Sequence, residues 1–241
     1  MTDRGTAADA AAPVLVAGAA GRTGRLIVPA LLTTGYRVRA LARRRAEGAL
    51  PVGALEQVTG DVSRPQTLAA AMRGAVAVIS AIGGRAPWGA NGFRAIDWEG
   101  NRALIDAARA AGVRRFILIT AGSAGRGGFP YALPFAPYPW KARAEAYLRA
   151  SGLDYTILGP GGLTDGPGDQ QGVRVTCRAD YRTGRVTRAD LAALTVFCLG
   201  SPRTLGKTLA LVNDATLAPG AWRGSVEGLP GDAPGLATAA P

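Results

Sequence analysis

The residues with the clearest chemical meaning in this chain are three glycines near its start. Gly18, Gly21 and Gly24 recur at a spacing of three, after the apolar run 14–17 and before an apolar stretch of helical character. Such glycines let the backbone turn sharply and approach a ligand, while the following helix offers free N–H groups and the positive end of its dipole. The turn predicts a pyrophosphate site, as in a dinucleotide-binding protein. The alternative is a tight turn without a ligand, since the chain has 34 glycines.

An arginine follows the second predicted strand, at the place that selects the dinucleotide. Proteins that bind the unphosphorylated cofactor hold its ribose 2′-hydroxyl with an acidic side chain about 20 residues after the glycines. Here Arg43 stands 19 residues after Gly24, and a guanidinium pairs with a 2′-phosphate through charge-assisted bonds. Arg22, inside the glycine turn, is placed to help. We therefore predict NADP rather than NAD; the alternative is that Arg43–Arg45 mark a solvated loop.

Candidates for acid–base chemistry are few, because the chain has no histidine. Ser-His-Asp and Cys-His nucleophiles are thereby excluded, and the commonest metal ligand is missing. The two cysteines, Cys177 and Cys198, lack the spacing of a zinc site or a disulfide framework. We predict no metal site and two ordinary buried or half-buried thiols. Proton transfer falls to Tyr, Lys, Asp or Glu side chains or to the cofactor.

Composition indicates one α/β domain, since the 241 residues are 48% hydrophobic. Residues 1–12 show no signal pattern, and no later run is long enough to cross a membrane. We expect a cytoplasmic protein, a monomer or homodimer with a small-molecule substrate and no membrane association. The net charge is +11, but 26 of the 28 basic residues are arginines scattered along the chain. This scatter does not favour nucleic-acid binding.

Apolar strand patterns alternate with helical ones from residue 13 to residue 160. This alternation predicts a Rossmann-like, doubly wound parallel sheet of the α/β class with a small C-terminal substrate lobe. The predicted organisation is a flexible N-terminus over 1–12, a single domain over 13–213 with the lobe beginning near 160, and a loose tail over 214–241. Pro29 predicts a kink in the first helix, and Thr187 with Asp190 predicts a later helix start.

Several motifs together resemble the atypical short-chain dehydrogenase/reductases. The similarity is to their NAD(P)H-binding group, which includes biliverdin reductase B-like flavin reductases and redox-sensing, non-catalytic relatives, and it covers roughly residues 13–213. The motifs are Val16-Ala-Gly-Ala-Ala-Gly-Arg-Thr-Gly24, Gly60-Asp-Val62, Ser80-Ala-Ile-Gly83, Asp97-x-x-Gly-Asn101, Thr120-Ala-Gly-Ser123, Lys141-x-x-x-Glu145 and the run 151–164.

This resemblance implies a set of residues around the cofactor. Asp61, at the end of the third predicted strand, is also explained by a simple Gly-Asp turn. The implied cofactor-binding residues are Gly18, Gly21, Arg22, Thr23 and Gly24 at the pyrophosphate, Arg43 with Arg22 at the 2′-phosphate, Asp61 and Val62 at the adenine, Ala81, Ile82 and Gly83 on the path to the nicotinamide, and Lys141 at its ribose.

Catalytic members of the resembled family use a Tyr-x-x-x-Lys pair and a serine. Their tyrosine donates a proton to a carbonyl, the lysine lowers the tyrosine pKa, and the serine polarises the carbonyl oxygen. Ser123 and Lys141 match two of these places, but Pro137 stands at the tyrosine place. Tyr138 is the candidate donor, with packing in the loop as the alternative. Gly159 replaces the arginine usual in this segment, so we expect a larger or more neutral substrate side.

The resemblance implies an NADP-dependent oxidoreductase that transfers a hydride between the nicotinamide and a small carbonyl or flat aromatic acceptor. A flavin or quinone-like acceptor needs no tyrosine donor. The alternative is a non-catalytic NADP-binding redox sensor or assembly factor that acts through a protein partner. The aromatic residues near Trp88 and in 129–140 either form a lid over the substrate or fill the core of the C-terminal lobe.

Overall fold

The structure, a computed structural model, describes residues 12–43, 54–133 and 135–233. The strands are β1 (Val14–Ala17), β2 (Val38–Ala42), β3 (Leu55–Thr59), β4 (Ala77–Ser80), β5 (Arg115–Ile119), β6 (Asp154–Pro160), β7 (Gly162–Thr164), β8 (Gly172–Cys177), β9 (Arg185–Thr187) and β10 (Lys207–Asp214). The helices are α1 (Gly24–Thr33), α2 (Leu68–Met72), α3 (Asn101–Ala110), α4 (Tyr138–Arg149), α5 (Arg188–Gly200) and α6 (Trp222–Gly228). A π-helical turn, Arg94–Gly100, leads into α3.

The main sheet has eight strands in the order β3-β2-β1-β4-β5-β6-β10-β8. Its first seven strands in this order run parallel, and β8 is antiparallel to β10. The chain moves outward from β1 to β3 and then returns to place β4 on the other side of β1. This reversal leaves a crevice at the carboxyl ends of β1 and β4, where sheets of this kind bind ligands. The predicted Rossmann-like, doubly wound sheet is confirmed.

Helices cover both faces of the sheet, which explains why its strands are apolar throughout. Val14 and Val16 of β1 face the layer with α1, α5 and α6, whereas Leu15 and Ala17 face the layer with α2, α3 and α4. Because successive strand residues point to opposite faces, each strand contributes to both cores. Among the described residues, no helix combines the length and the apolarity that crossing a bilayer requires.

Two local predictions have clear outcomes. Thr187 caps α5 as predicted, because its side chain accepts a hydrogen bond of 3.0 Å from the Asp190 N–H. Pro29 lies inside α1, yet the helix continues to Thr33. Pro29 is on the exposed side of α1, so its ring meets solvent and the missing N–H costs the helix one bond.

Cys198 is buried and Cys177 partly buried, both as free thiols, as predicted.

The region after Pro160 both adds to the main sheet and forms a small sheet of its own. β10 and β8 extend the main sheet, while β7 and β9 pair separately in parallel. The expectation of a loose tail from residue 214 is wrong for 214–233. Trp222 and Val226 of α6 are buried in the core, and Asp232 accepts hydrogen bonds of 2.9 Å from both the Thr208 N–H and the Tyr155 hydroxyl. Residues 1–11 and 234–241 lie outside the described residues.

Candidate functional site

A cleft of about 230 Å³ opens at the carboxyl ends of β1, β2 and β4. It lies where the order of the strands reverses, so the fold itself creates it. Each of the three strands contributes the residues that directly follow its last hydrogen-bonded pair. The cleft is lined by Ala17, Gly18, Ala20, Gly21, Leu41, Ala42, Arg43, Gly60, Val62, Ala81, Ile82, Gly83, Arg85, Asn91 and Ile96.

The glycine turn is packed too tightly to accept side chains. Gly18 has a φ of +81°, and a Cβ there would lie 2.8 Å from the carbonyl oxygen of Ala81. The Gly21 N–H donates to the Gly18 carbonyl at 2.8 Å, and a Cβ on Gly24 would overlap that same carbonyl oxygen. Gly18 and Gly21 thus line the cleft with bare backbone, whereas Gly24 is buried beneath the turn.

The start of α1 suits an anion. Thr23 at the N-cap makes no side-chain capping bond, and the first turn of the helix contains no acidic residue. The positive end of the helix dipole is therefore not compensated there by a nearby carboxylate. Together with the bare glycine backbone, this start fits a pyrophosphate. The residues present match the dinucleotide that the turn predicts.

Arg43 lies at the far end of the cleft, directly after β2. Its guanidinium donates a hydrogen bond of 2.6 Å to the Asn91 side-chain oxygen, which joins the loop after β4 to the edge of β2. A second hollow of about 850 Å³ adjoins the cleft at this end, and Asp61 and Arg64 line it with Arg43. Two arginines here provide the charge that a 2′-phosphate would need. Arg44 and Arg45 lie outside the described residues.

Asp61 forms the turn that its sequence context suggested. One carboxylate oxygen accepts hydrogen bonds from the Ser63 N–H at 2.9 Å and the Ser63 hydroxyl at 2.8 Å. The hydrogen bond from the Ser63 N–H is the largest of the effects that lower the Asp61 pKa, and the nearby charge of Arg43 lowers it further by a smaller amount. The carboxylate still borders the hollow beside Arg43, so the turn and a ligand contact are compatible.

Arg22 takes a different direction from Arg43. Its guanidinium lies 3.9 Å from the carboxylate of Asp165, which also pairs with Arg188 at 2.7 Å. Asp165 directly follows β7, so Arg22 points toward the β7–β9 sheet. The residues that line the cleft include Arg43 but not Arg22.

Lys141 forms a buried ion pair beneath the cleft. Its Nζ lies 2.6 Å from Oδ1 of Asp97, and the two side chains are only 14% and 1% exposed. The other Asp97 oxygen accepts a hydrogen bond of 3.1 Å from the Gly84 N–H. A Cβ on Gly83 would lie 3.7 Å from Oδ1 of Asp97 and 3.9 Å from Nζ of Lys141. The pair therefore sits against the residues that line the cleft after β4.

The π-helical turn places Asp97 in this pair. Asn101, at the start of α3, donates to the Asp97 carbonyl at 3.0 Å and accepts a bond of 2.6 Å from the Ser80 hydroxyl at the end of β4. These contacts are buried and fix the turn to the sheet. Turns of this kind occur often at functional sites. The Asp97-x-x-Gly-Asn101 motif thus holds Lys141 as well as the helix.

Ser123, Tyr138 and Lys141 lie on two elements, the loop after β5 and α4. Ser123 is buried in the loop after β5. Tyr138 begins α4, and its ring packs edge-on against Tyr131 with centroids 5.4 Å apart. A different tyrosine lies at the serine loop, since a Cβ on Gly122 would overlap the ring of Tyr181.

The expectation of a neutral pocket at Gly159 is wrong. A Cβ on Gly159 would overlap the guanidinium of Arg178, so an arginine from the turn after β8 fills the space. This guanidinium donates to the Glu145 carboxylate at 2.9 Å and to the Ala124 carbonyl at 2.9 Å. The positive charge beside Gly159 is thus supplied by Arg178, from another part of the chain, which the sequence alone does not reveal.

Comparison with known proteins decides the family. A sequence profile described as NAD(P)H-binding matches residues 18–202, a span that includes the cleft, the Lys141 pair and most of the sheet. The chain belongs to this NAD(P)H-binding family. The resemblance drawn from the motifs is confirmed at this level.

Relatives within this family differ in their described roles. The chain is 31% identical to the uncharacterized sugar epimerase YhfK of Bacillus subtilis, over 84% of this chain and 95% of YhfK. It is 32% identical to the chloroplastic protein TIC 62 of Arabidopsis thaliana over 86% of this chain, and 30% identical to the photosystem II assembly factor Ycf39 of Trieres chinensis over 82%. The aligned part is only 36% of TIC 62 and 63% of Ycf39.

Solved structures agree with the family assignment. The oxidoreductase ylbE of Lactococcus lactis is 25% identical with a TM-score of 0.74, over 90% of this chain and 95% of ylbE. ChuY, described as an anaerobilin reductase of Escherichia coli O157:H7, is 27% identical with a TM-score of 0.67, over 83% of this chain and 97% of ChuY.

Sequence reasoning missed several residues of this family site. Asn91, Asp97, Arg178 and Tyr181 received no role, because each acts through a contact with a distant part of the chain. The Asp97-x-x-Gly-Asn101 motif was a usable signal, since the hydrogen bond from Asn101 to the Asp97 carbonyl follows from their spacing of four. No local pattern marks Arg178 or Tyr181, which become meaningful only beside Gly159 and Gly122.

Proposed function

We propose that this chain binds NADP(H) and transfers a hydride between its nicotinamide and a small acceptor, either a carbonyl compound or a flat aromatic molecule such as a quinone or flavin. The observation that carries the proposal is the cleft at the carboxyl ends of β1, β2 and β4, with the glycine turn at its centre and Arg43 at one end. When bound, the nicotinamide supplies or accepts the hydride. The relative described as an anaerobilin reductase supports a reductase function.

The chain's own residues bind and orient the cofactor. Gly18, Gly21 and the start of α1 hold the pyrophosphate, and Ala81 to Gly83 guide the molecule along β4. Lys141 lies against Gly83 and donates hydrogen bonds to the nicotinamide ribose, held in place by Asp97 at 2.6 Å. At the opposite end, Arg43 holds the 2′-phosphate.

Arg43 offers a direct test of NADP preference. Arg43→Ala removes a charge-assisted contact to the 2′-phosphate and should weaken NADPH binding by roughly 1.5–3 kcal/mol more than NADH binding. The same change also frees Asn91, so Asn91→Ala serves as the matched variant and should affect both nucleotides equally. Arg37→Ala, an exposed arginine at the other end of β2, should affect neither. Equal losses for both nucleotides in Arg43→Ala would refute the assignment.

Turnover distinguishes an enzyme from a binding protein. NADPH is titrated by its fluorescence, and its oxidation is then followed after addition of menadione, riboflavin or an aromatic aldehyde. Acceptor-dependent loss of NADPH supports the oxidoreductase. Tight binding without oxidation by any acceptor points to the second candidate.

The second candidate is an NADP-dependent sensor or assembly factor that acts through a protein partner. Three observations favour it. Tyr138 packs on Tyr131 and does not complete a Tyr-x-x-x-Lys pair, and the side chains of Trp88 and Phe129 are 77% and 86% exposed. The relative Ycf39 is described as an assembly factor. Because both rings are exposed, Trp88 and Phe129 do not fill the core of the C-terminal lobe. Nucleotide-dependent capture of one partner that Trp88→Ala abolishes would support this role.

Assembly and location complete the proposal. We propose a monomer or homodimer located in the cytoplasm, with no role for nucleic acid or membrane in its function. Light scattering with and without NADPH measures the oligomeric state, and cell fractionation measures the location.

A further inference from the structure

A tyrosine from the turn after β8 lies on the loop that carries Ser123. A Cβ on Gly122 would overlap both Cε2 and Cζ of Tyr181, so the hydroxyl-bearing end of this ring lies directly on the Gly122 backbone. The Gly122 N–H in turn donates to the Pro160 carbonyl at 2.7 Å. The phenol therefore lies at the carboxyl ends of β5 and β6, next to Ser123. Only a glycine at position 122 leaves room for it.

Buried contacts fix the segment that carries this tyrosine. The Tyr181 N–H donates to the Arg178 carbonyl at 3.1 Å, and the Arg178 guanidinium bonds both Glu145 of α4 and the Ala124 carbonyl, each at 2.9 Å. Arg178 thus ties the turn to the same loop that Tyr181 covers. A side chain held this way keeps its position relative to Ser123, as a substrate-contacting group must.

The other side of the ring faces open space. Tyr181 is half-buried and lines a cleft of about 520 Å³ together with Arg174, Arg182 and Val212. One edge of the ring is therefore packed on the serine loop while the rest borders a space that solvent can enter.

α4 does not offer an equivalent group. Tyr138 packs its ring against Tyr131 with centroids 5.4 Å apart, and Lys141 is already paired with Asp97. A lysine whose charge is matched by a buried carboxylate has less effect on a neighbouring phenol than an unpaired one. A phenol from another part of the chain is the alternative to Tyr138.

We propose that Tyr181, not Tyr138, contacts the acceptor and donates its proton. The proposal rests on the oxidoreductase function proposed above and names the donor of that same site. For a carbonyl acceptor, the substrate gains a hydride from the bound NADPH and its oxygen gains the proton of the Tyr181 hydroxyl. The O–H bond breaks as the new O–H bond forms, and the resulting phenolate regains a proton from water. The ring of Tyr181 forms one wall of the acceptor pocket.

The test compares two acceptors in the full-length protein. Tyr181→Phe should lower kcat for an aromatic aldehyde by about 100-fold, the contribution of a positioned general acid. Reduction of riboflavin, which can take its proton from water, should change little. Tyr36→Phe, far from this edge at the start of β2, is the matched control and should leave both rates unchanged. Tyr138→Phe should also leave both unchanged.

A binding measurement adds a readout that does not depend on turnover. Riboflavin fluorescence is titrated with protein in the presence of NADP⁺. Tyr181→Ala removes the ring and should raise the riboflavin Kd by about 2- to 12-fold, the range expected for an aromatic contact, whereas Tyr181→Phe should retain wild-type affinity. The Kd for NADP⁺ should stay the same in both variants.

Each outcome has a defined meaning. If reduction of the aromatic aldehyde and of riboflavin falls equally in Tyr181→Phe, the residue is structural and the proposal is overturned. If Tyr181→Phe is unaffected and Tyr138→Phe is inactive, the donor is Tyr138, while the proposed function stands. If the wild-type protein binds NADPH but oxidises it with no acceptor, the proposed function and this donor role both fall.

Discussion

An exchange of arginine between positions 178 and 159 should preserve the stability of this fold, although each single change destabilises it. The guanidinium of Arg178 occupies the space above Gly159 and bonds the Glu145 carboxylate, which is 4% exposed. An arginine introduced at 159 would start from the spot that this guanidinium now fills. The variants are Arg178→Ala, Gly159→Arg and the two together.

The expected energies follow from the contacts. Arg178→Ala loses charge-assisted bonds to Glu145 and Ala124, but Glu145 keeps the Thr120 hydroxyl at 2.6 Å and Arg149 at 3.1 Å. The cost should therefore be about 2–3 kcal/mol, below that of isolating a buried charge. Gly159→Arg alone places a Cβ in the space of the Arg178 guanidinium and should cost about 3 kcal/mol or more.

In the double variant, the Cβ of the new arginine takes the place that the Arg178 guanidinium has vacated. A Cβ at 159 still lies 3.1 Å from the Ala121 carbonyl oxygen, so a small residual cost remains. We expect the double variant to lie about 1–2 kcal/mol below wild type in stability, with a coupling energy of about 3–5 kcal/mol. Urea unfolding of all four proteins at pH 7 measures this cycle. Energies that simply add, within about 0.5 kcal/mol, would show that the two sites do not share one space.

Three further predictions concern the core and the glycine turn. Burial raises the pKa of the Cys198 thiol to about 12, so the folded state keeps a proton that the unfolded state loses; stability should fall by about 2 kcal/mol from pH 8 to pH 10.5 by urea unfolding, and Cys198→Ala should remove this part of the slope. Trp222→Ala should lower the unfolding free energy by about 3–5 kcal/mol, whereas Trp88→Ala, 77% exposed, should change it by less than about 0.5 kcal/mol; equal losses would contradict the packed C-terminal helix. Gly24→Ala should cost about 1–3 kcal/mol and weaken NADPH binding because its Cβ overlaps the turn, while Gly224→Ala, with open space around it, should be neutral; wild-type NADPH affinity in Gly24→Ala would refute the tight turn.

The sheet was predictable because its signals are local. Runs such as 75–82 are apolar without interruption, which fits strands covered on both faces, and glycines mark the turns between strands and helices. The cleft was predictable for the same reason, since Gly18, Arg43 and Ala81 each directly follow a strand. Parallel strands carry such residues to one edge of the sheet, whatever the rest of the chain does.

The C-terminal helix α6 was not predicted because the composition of its segment is not typical of a helix. Residues 214–233 are rich in Gly, Ala and Pro, and only Trp222 and Val226 of α6 reach the core. The ring of Trp222 packs edge-on against Phe197 with centroids 5.2 Å apart. Two buried side chains on one short helix give no periodicity to detect, yet they bury enough apolar surface to hold the segment.

Two features of the candidate site depend on pairs that lie far apart in sequence. Lys141 and Asp97 meet only because the π-helical turn before α3 aims the carboxylate at α4, and Arg178 replaces an arginine missing at Gly159 from the end of another strand. For Arg178, a guanidinium is present beside Gly159 while its position in the sequence differs. A residue-by-residue comparison with a family motif therefore misses this guanidinium. The motif gives the position of a residue in the sequence, whereas the chemistry depends on where the charged group lies in the fold. The same principle directs attention from Tyr138, which keeps nearly the right place in sequence, to Tyr181, whose ring lies on the loop of Ser123.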